Sequence, residues 1–318
     1  MMKEIKQVAV IGAGIMGHGI AQIFAAAGFS VRLYDIHEHM LQKAKEAIEA
    51  SLSLFVTHGM ISAEQKEQAL GNIRLTISLA EAVADADFIT EAIPEKVELK
   101  WEIYRQIEEL AREDTVVASN TSTIPITQLA RYAKYPERMI ITHYFNPAYL
   151  VPLVEVVKHE KTATSVVELT LETMKRIGKV PVLLQKEIAG FIANRLQAAV
   201  VREAFHLLEE GVAGAAQIDA AMKAGPGFRW AFIGPFETLD FGGLDTWQSA
   251  MNNVAPELCN ATQAPAMINQ LVERGELGVK TGSGIYAHTP ETVAAAIELR
   301  DQRFLSLLHS KQNETAGH

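Results

Sequence analysis

Three closely spaced glycines near the start of the chain limit its possible folds more than any other feature. Residues 12–17 read GAGIMG and join an apolar, β-branched run at 5–11 to an apolar segment at 16–27. The first glycine of such a pattern permits a tight turn, the second lets a ligand approach the backbone, and the third lets the helix pack against the strand. The sequence therefore predicts a buried strand, a sharp turn and a helix that ends at Gly28.

The same segment predicts a site for a dinucleotide. The start of a helix offers free N–H groups and the positive end of its dipole to phosphates. Asp35 lies 18 residues beyond Gly17, where a carboxylate accepts hydrogen bonds from a ribose 2′-hydroxyl and repels a 2′-phosphate. We therefore expect NAD in preference to NADP, with a glycine turn that serves packing alone as the alternative. The residues expected to hold NAD here are Gly12, Gly14, Ile15, Met16, Gly17 and Asp35.

Apolar, β-branched runs alternate with helical segments over the first part of the chain. The predicted strands cover residues 5–11, 31–34, 73–77, 88–93, 115–118, 139–143 and 153–157. Strands that alternate with helices favour a mainly parallel sheet with right-handed crossovers. The later pattern is purely helical, at 191–210, 215–224 and 294–308. The predicted fold class is α/β, with a Rossmann-type, mainly parallel sheet domain at 1–187 followed by an all-α domain at 188–318.

Composition excludes several classes of function. The 318 residues include 29 Lys and Arg against 38 Asp and Glu, which gives a net charge of −9. Nucleic-acid binding requires a basic face, and the chain has no Lys/Arg cluster, so we expect no nucleic-acid partner. A single cysteine, Cys259, excludes an internal disulfide and a CxxC metal site. We therefore expect a cytoplasmic protein without a metal.

The long apolar stretch at 8–31 contains no Asp, Glu, Lys or Arg. Five glycines interrupt it, and no small-residue cleavage pattern of a signal peptide follows it. We interpret it as strand, turn and buried helix, and therefore expect no membrane association. The expected partner is a small-molecule substrate.

Polar residues follow several predicted strands, where ligands bind in open α/β sheets. A Ser119–Ser122 cluster follows the fifth strand, and His143 ends the sixth. Glu155 stands inside the apolar run 153–157, where a carboxylate is costly to bury unless it is paired. A pair of His143 and Glu155 would orient the imidazole and help it to accept a proton. A structural histidine is the alternative.

Six stretches of the chain resemble the L-3-hydroxyacyl-CoA dehydrogenase family, and the resemblance extends over nearly the whole length. They read VAVIGAGIMGHGIA, EAIPEKVELK, ASNTSTIPIT, HYFNPAYLVPLVEVV, GFIANRL and GPFETLDFGGLDT, and KTGSGIY near the C-terminus also fits. The resemblance implies a Rossmann domain, a helical domain that carries a dimer interface, and hence a homodimer.

The resemblance also implies roles for individual residues. His143 would take the proton of the 3-hydroxyl group, with Glu155 as its partner, while Ser122 and Asn194 would hold the substrate oxygens. For Asn194, a structural hydrogen bond is the alternative. Beside the glycine loop, the positions implied for NAD are Asp35, Glu95, Lys100, Asn146 and Lys280.

Two departures from the family bear on the substrate. Members that take CoA thioesters carry lysines late in the helix after the second strand, whereas this chain has no Lys or Arg between Lys45 and Lys66. CoA phosphates call for cationic or N–H donors, so Ser51 and His58 are the remaining candidates there.

The second departure is the segment 227–235, which reads GFRWAFIGP. It resembles relatives that oxidise free 3-hydroxy acids, such as L-gulonate 3-dehydrogenase and carnitine dehydrogenase. Arg229 could bind a substrate carboxylate through two parallel hydrogen bonds, with a surface or interdomain ion pair as the alternative.

These observations lead to an expected activity and two alternatives. The chain is expected to oxidise an L-3-hydroxyacyl-CoA thioester of short chain, such as 3-hydroxybutyryl-CoA, with NAD and with His143 as the general base. One alternative keeps the chemistry and takes a free 3-hydroxy acid. The other is an NAD-binding structural protein of the crystallin type, without activity.

Overall fold

One mixed sheet organises the first part of the molecule. The computed structural model describes the backbone of residues 4–316 and the side chains of residues 4–310. The strands are β1 (Gln7–Ile11), β2 (Ser30–Tyr34), β3 (Ile73–Thr76), β4 (Phe88–Glu91), β5 (Val116–Ser119), β6 (Met139–Tyr144), β7 (Leu153–Lys158) and β8 (Val180–Leu184). Their order in the sheet is β3-β2-β1-β4-β5-β6-β7-β8. The prediction of a mainly parallel sheet is confirmed.

Helices cover both faces of this sheet. They are α1 (Ile15–Ala26), α2 (Glu38–Thr57), α3 (Ala63–Gly71), α4 (Leu79–Val83), α5 (Val97–Leu110), α6 (Ile126–Leu129) and α7 (Thr164–Arg176). Because side chains alternate along a strand, Val8 and Val10 join the core under α1, α2 and α7, while Ala9 and Ile11 join the core under α4 to α6. The sheet is therefore buried on both sides, as its nearly continuous apolar strands require.

One pair of neighbouring strands runs antiparallel. β6 and β7 are joined by residues 145–152, a connection shorter than the roughly dozen residues that a parallel crossover needs. Their register places His143 directly opposite Glu155. The change of direction thus brings a base and an acid from different strands together.

The last strand of the sheet, β8, was not predicted. Pro181 interrupts its apolar pattern, and proline normally argues against a central strand. β8 pairs only with β7 and lies at the edge of the sheet, where a proline is tolerated.

The second part of the chain is helical, as predicted. Its helices are α8 (Ala193–Glu209), α9 (Ala215–Ala224), α10 (Pro226–Trp230), α11 (Pro235–Gly242), α12 (Leu244–Val254) and α13 (Ala266–Glu273), before the long α14 (Pro290–Ala316). The chain forms two compact units, of which the second is Ala193–Ile297, while the part of α14 from Glu298 on belongs to the first. The expected domain boundary after residue 187 stays a prediction. Across the described residues, no helix is long and apolar enough to cross a bilayer.

Candidate active site

The glycine loop has the geometry that a bound diphosphate requires. Gly12 has a φ of +102°, and a Cβ there would lie 2.7 Å from the carbonyl oxygen of Ala92. A Cβ on Gly17 would lie 1.7 Å from the Gly12 oxygen, so only glycine lets α1 pack this closely on β1. A Cβ on Gly14 would meet no atom within 4 Å, which leaves the second glycine open on one side. α1 begins at Ile15 without a side-chain cap, so its first N–H groups are free for a ligand.

Asp35 braces this loop from the end of β2. Its Oδ2 atom accepts a hydrogen bond from the N–H of Ala13 at 2.9 Å, and its Oδ1 atom accepts one from the N–H of His37 at 3.0 Å. Each carboxylate oxygen has a second lone pair, so Asp35 can still accept a ribose hydroxyl. The glycine loop and Asp35 therefore fit NAD, the loop holding its diphosphate and Asp35 its ribose.

Glu95 holds the loop that carries Ser122. Its Oε1 atom accepts hydrogen bonds from the N–H groups of Ser122 at 3.0 Å and Thr123 at 3.1 Å, and from the hydroxyl of Thr121. Burial raises the pKa of Glu95, but the Thr121 hydroxyl, the Lys100 charge and the two N–H groups outweigh burial and leave the pKa below its usual value. Glu95 is thus a carboxylate at neutral pH, and it fixes the backbone at Ser122.

Lys100 is buried in a polar cluster under the same loop. Only 1% of its side-chain surface is exposed, and its Nζ atom lies 2.6 Å from Glu91 Oε1 and 3.4 Å from Glu95 Oε2. The sequence analysis did not single out Glu91. The sequence did contain a signal for it, namely a carboxylate in a strand that is otherwise apolar. Glu91 ends β4 in this way, and Glu155 stands in its apolar run in the same way. Lys100 therefore pairs with two carboxylates of this chain, and a direct contact with NAD stays a prediction.

His143 and Glu155 form a buried pair. The Nδ1 atom of His143 lies 2.8 Å from Glu155 Oε2, and Glu155 Oε1 accepts a hydrogen bond from the N–H of Ile192 at 2.8 Å. The rings of Phe145 and Phe191 lie 4.5 Å and 5.4 Å from the imidazole ring, between centroids. With Glu155 ionised, Nδ1 carries the proton and Nε2 is the basic nitrogen. The pair therefore has the arrangement of an oriented general base.

Two other predicted site residues of the first unit differ in exposure. Asn146 follows β6 and is exposed, so its side chain is accessible to a ligand. Ser51 is 93% buried instead: its one hydroxyl proton has two acceptors within reach, the side-chain oxygen of Gln22 on α1 and the carbonyl oxygen of Ile48. In this position the Ser51 side chain links two helices, and its expected role in substrate binding stays a prediction. His58, beyond the end of α2, is exposed.

Three predicted residues belong to the second unit. Asn194 is half-buried at the start of α8, Lys280 is exposed in a turn, and Arg229 is exposed on α10. No ion pair of Arg229 is found among the described residues, and its role in binding a carboxylate stays a prediction.

The sheet, the glycine loop and the carboxylate at the end of β2 define the first unit as the NAD-binding domain of a dehydrogenase. Residues 7–188 match the NAD-binding domain of 3-hydroxyacyl-CoA dehydrogenase, and residues 190–288 match the C-terminal domain of the same enzyme. The chain therefore belongs to the 3-hydroxyacyl-CoA dehydrogenase family, and it is an NAD-dependent oxidoreductase of the EC 1.1.1 type.

Similar proteins within the family differ in their named substrates. Rat mitochondrial hydroxyacyl-coenzyme A dehydrogenase is 39% identical over 292 residues, which are 89% of this chain and 91% of the rat protein. 5-Formyl-3-hydroxy-2-methylpyridine 4-carboxylate 5-dehydrogenase of Mesorhizobium japonicum is 33% identical over 303 residues, 95% of this chain and 97% of that enzyme. A crystal structure of an enzyme of that name, called an NAD+ dependent dismutase, superposes with a TM-score of 0.90 at 34% identity, covering 96% of this chain and 97% of the other.

Proposed function

We propose that this protein oxidises a secondary alcohol to a ketone, at the carbon β to a carboxyl or acyl carbonyl, with His143 as the general base. The observation that carries the proposal is the buried hydrogen bond of 2.8 Å between His143 and Glu155. Glu155 holds the proton on Nδ1, so Nε2 takes the proton of the substrate hydroxyl, and the carboxylate stabilises the imidazolium that forms. NAD, when bound, supplies the acceptor for the hydride that leaves the same carbon.

Ser122 and Asn194 are each proposed to bind the substrate. The Ser122 hydroxyl and the Asn194 amide hold the substrate oxygens. A hydrogen bond to the oxygen of the substrate hydroxyl fixes the position of the proton that His143 removes. Ser122 is half-exposed on a backbone that Glu95 holds in place. Asn146 and Lys280 are proposed contacts of NAD.

The base is tested by replacing His143 with glutamine. The His143→Gln variant should lose about 10²–10⁴-fold in turnover, because it cannot accept the proton. Its NAD affinity, measured by titration, should stay within twofold of the wild type, because the glycine loop is untouched. His159→Gln is the matched control, since His159 follows the far end of β7. Wild-type turnover in His143→Gln would overturn the proposal.

A small free acid is the substrate class that the geometry favours over a CoA thioester. The Ser51 hydroxyl points into the α1–α2 contact, and no Lys or Arg occurs between Lys45 and Lys66 to bind CoA phosphates. Arg229, in contrast, is exposed and has no carboxylate partner in the described part of the chain. The relative from Mesorhizobium japonicum, which carries a carboxylate in the name of its substrate, supports the same order. This reverses the order expected from the sequence.

The CoA thioester stays the second candidate. It is supported by the rat enzyme, which shares 39% identity and is named for a hydroxyacyl-coenzyme A substrate.

Initial rates with NAD and three substrates separate the candidates: 3-hydroxybutyryl-CoA, L-gulonate and L-carnitine. We expect one of the two free acids to be turned over faster than the thioester, and Arg229→Ala to lower that activity at least tenfold. Arg229→Lys is the control that keeps the charge but loses the paired N–H donors, so it should recover only part of the activity. Faster oxidation of the thioester, unaffected by Arg229→Ala, would support the second candidate. Only trace turnover of all three substrates, together with tight NAD binding, would support the alternative of an NAD-binding structural protein without activity.

We propose further that the protein is a cytoplasmic homodimer. Large apolar side chains of the second unit, such as Phe236 and Phe241, are 83% and 80% exposed. Exposed apolar surface of this kind is typical of a protein–protein interface. Sedimentation velocity over a dilution series tests the dimer.

A further inference from the structure

Glu91, at the end of β4, is a fully buried carboxylate with four hydrogen-bond donors. Its Oε1 atom accepts from the Ile93 N–H at 2.8 Å and from the Lys100 ammonium at 2.6 Å. Its Oε2 atom accepts from the hydroxyls of Tyr104 and Ser119, the latter at 2.7 Å. All the lone-pair positions of the carboxylate are therefore in use.

Such a cluster is a costly way to fill a core. Buried ion pairs often contribute less to stability than apolar side chains of the same volume, because two charges must leave water. Stability alone thus gives a weak reason for Glu91 and Lys100 to stand here. The segments that the cluster holds in place give a stronger one.

The first connection runs from Glu91 through Ser119 to the loop after β5. The Ser119 hydroxyl donates to Glu91 Oε2 and accepts a hydrogen bond from the N–H of Thr121 at 3.3 Å. Ser119 is 2% exposed, so water does not compete for these bonds. Glu91 therefore fixes the start of the segment that carries Ser122.

The second connection runs through Lys100 and Glu95. The Lys100 ammonium lies between the two carboxylates, 2.6 Å from Glu91 Oε1 and 3.4 Å from Glu95 Oε2. Glu95 in turn accepts the N–H groups of Ser122 and Thr123 through its other oxygen. The two oxygens of Glu91 thus reach the same loop by separate routes, and these meet at residues 121–123.

We propose that Glu91 is a positioning residue for Ser122, acting through Ser119 on one side and through Lys100 and Glu95 on the other. The proposal deepens the proposed function, on which the role of Ser122 in substrate binding rests. The buried charge on Glu91 sets the place of Lys100, Lys100 sets the place of Glu95, and Glu95 holds the Ser122 backbone. A substrate oxygen then meets a hydroxyl that is already in position.

The test removes the Glu91–Lys100 pair without leaving a fully buried lone charge, since Glu95, the other carboxylate beside Lys100, is 35% exposed. Removing one partner of a buried pair is strongly destabilising, so the informative variant is Glu91→Gln/Lys100→Met, which replaces both charges by neutral groups of similar size. We expect kcat/KM of this variant to fall at least tenfold. In the enzyme without substrate, hydrogen exchange at the Ser122 and Thr123 amides should become at least tenfold faster while the amides of the distant strands β2 and β3 exchange as in the wild type. A role in stability alone would speed exchange across the whole sheet.

A milder variant keeps the proposal testable if the double variant fails to fold. Ser119→Ala cuts the first connection only, and we expect a threefold or larger fall in kcat/KM with faster exchange at Thr121. Thr115→Val is the matched control: it removes a buried hydroxyl just before the same strand, where Thr115 donates to the Ala86 carbonyl oxygen. Its kcat/KM should match the wild type.

The outcomes separate this inference from the proposed function. Unchanged exchange at residues 121–123 in the folded double variant, or in Ser119→Ala, would overturn the role of Glu91. Faster exchange there, combined with wild-type kinetics of Ser122→Ala, would keep the positioning by Glu91 and reject Ser122 as a substrate-binding residue.

Discussion

The two compact units bury their apolar side chains to very different extents. In the first unit, two clusters of buried residues fill both faces of the sheet, and Phe24, Phe29 and Phe88 are almost completely covered. Among residues 193–297, all of which the structure describes, only Phe205 and Thr238 are buried. A sheet covered by helices on two sides forms a core by itself, whereas the helices of the second unit leave many of their apolar side chains exposed.

The largest expected difference between the units concerns stability. Phe88→Ala should lower the free energy of unfolding by about 3–5 kcal/mol, because it leaves a cavity in a closed core. Phe228→Ala, at a side chain of the second unit that is 68% exposed, should change it by less than about 0.5 kcal/mol. Urea unfolding at several protein concentrations measures both.

If Phe228→Ala lost as much free energy of unfolding as Phe88→Ala at every protein concentration, the comparison would fail. The second unit would then have a core of its own. A loss that depends on concentration would assign Phe228 to association.

The second prediction concerns the proposed dimer. Replacing two exposed aromatic side chains in Phe236→Ser/Phe241→Ser should weaken dimerisation about 30-fold, the effect of losing about 2 kcal/mol at an interface. Sedimentation velocity gives the dissociation constant. Tyr132→Ser in the first unit, at a side chain that is 66% exposed, is the control and should leave dimerisation unchanged. Weaker dimerisation of Tyr132→Ser, with unchanged dimerisation of Phe236→Ser/Phe241→Ser, would place the interface on the first unit.

Cofactor preference should depend on the first unit alone. We expect NAD to bind more than tenfold more tightly than NADP, about 1.4 kcal/mol, and Asp35→Ala to narrow this gap because it removes the charge that repels a 2′-phosphate. Asp35→Asn is the matched control, since its side-chain oxygen can keep the hydrogen bond from the Ala13 N–H without the charge. Titrations that give equal wild-type affinities for the two cofactors would contradict the assignment of Asp35.

The smallest expected effect is a pH dependence of stability caused by Lys179. Among the described residues, every buried charged side chain, Lys179 included, lies in the first unit. Its ammonium donates to the carbonyl oxygens of Ala148 and Val151, and burial lowers its pKa to about 8. An unfolded lysine keeps its proton to about pH 10.4, so above pH 8 the unfolded state binds more protons and stability rises with pH.

Between pH 8 and 9, the free energy of unfolding of the wild type should therefore rise by about 1 kcal/mol relative to that of Lys179→Met. Urea unfolding at each pH measures both. Parallel pH profiles of the two proteins would contradict a titration of Lys179 in this range.

The sequence alone predicted the features that depend on local patterns. The glycine loop predicts its own turn, and the interval from Ser62 to Gln65 predicts a capping box whose two hydrogen bonds are both present. Leu41, Ala44, Ile48 and Leu52 recur at helical spacing, which predicts a helix over about residues 38–57, and α2 occupies this range. The buried carboxylate Glu155 also pointed to a partner, and His143 is in contact with it.

What the sequence did not predict depends on residues that are far apart along the chain. The Ser51 hydroxyl turns inward because Gln22, on another helix, offers it an acceptor. The position of Glu91 at the end of a buried strand indicates that it needs partners, but no pattern near residue 91 identifies its donors on α5 and β5. Strand β8 needed the edge of the sheet to accommodate Pro181. Each depends on packing that exists only once the sheet has formed.

The antiparallel pairing of β6 and β7 has a consequence for how this enzyme can change over evolutionary time. His143 and Glu155 face each other across neighbouring strands, so the spacing of the sheet, and not the path of the chain, sets the distance between them. The connection at 145–152 can gain, lose or exchange residues without separating the pair, provided that the strands keep their register. A shift of one residue would turn one of the two side chains to the opposite face. The His143–Glu155 pair can therefore be inherited unchanged while the surrounding segments adapt to new substrates.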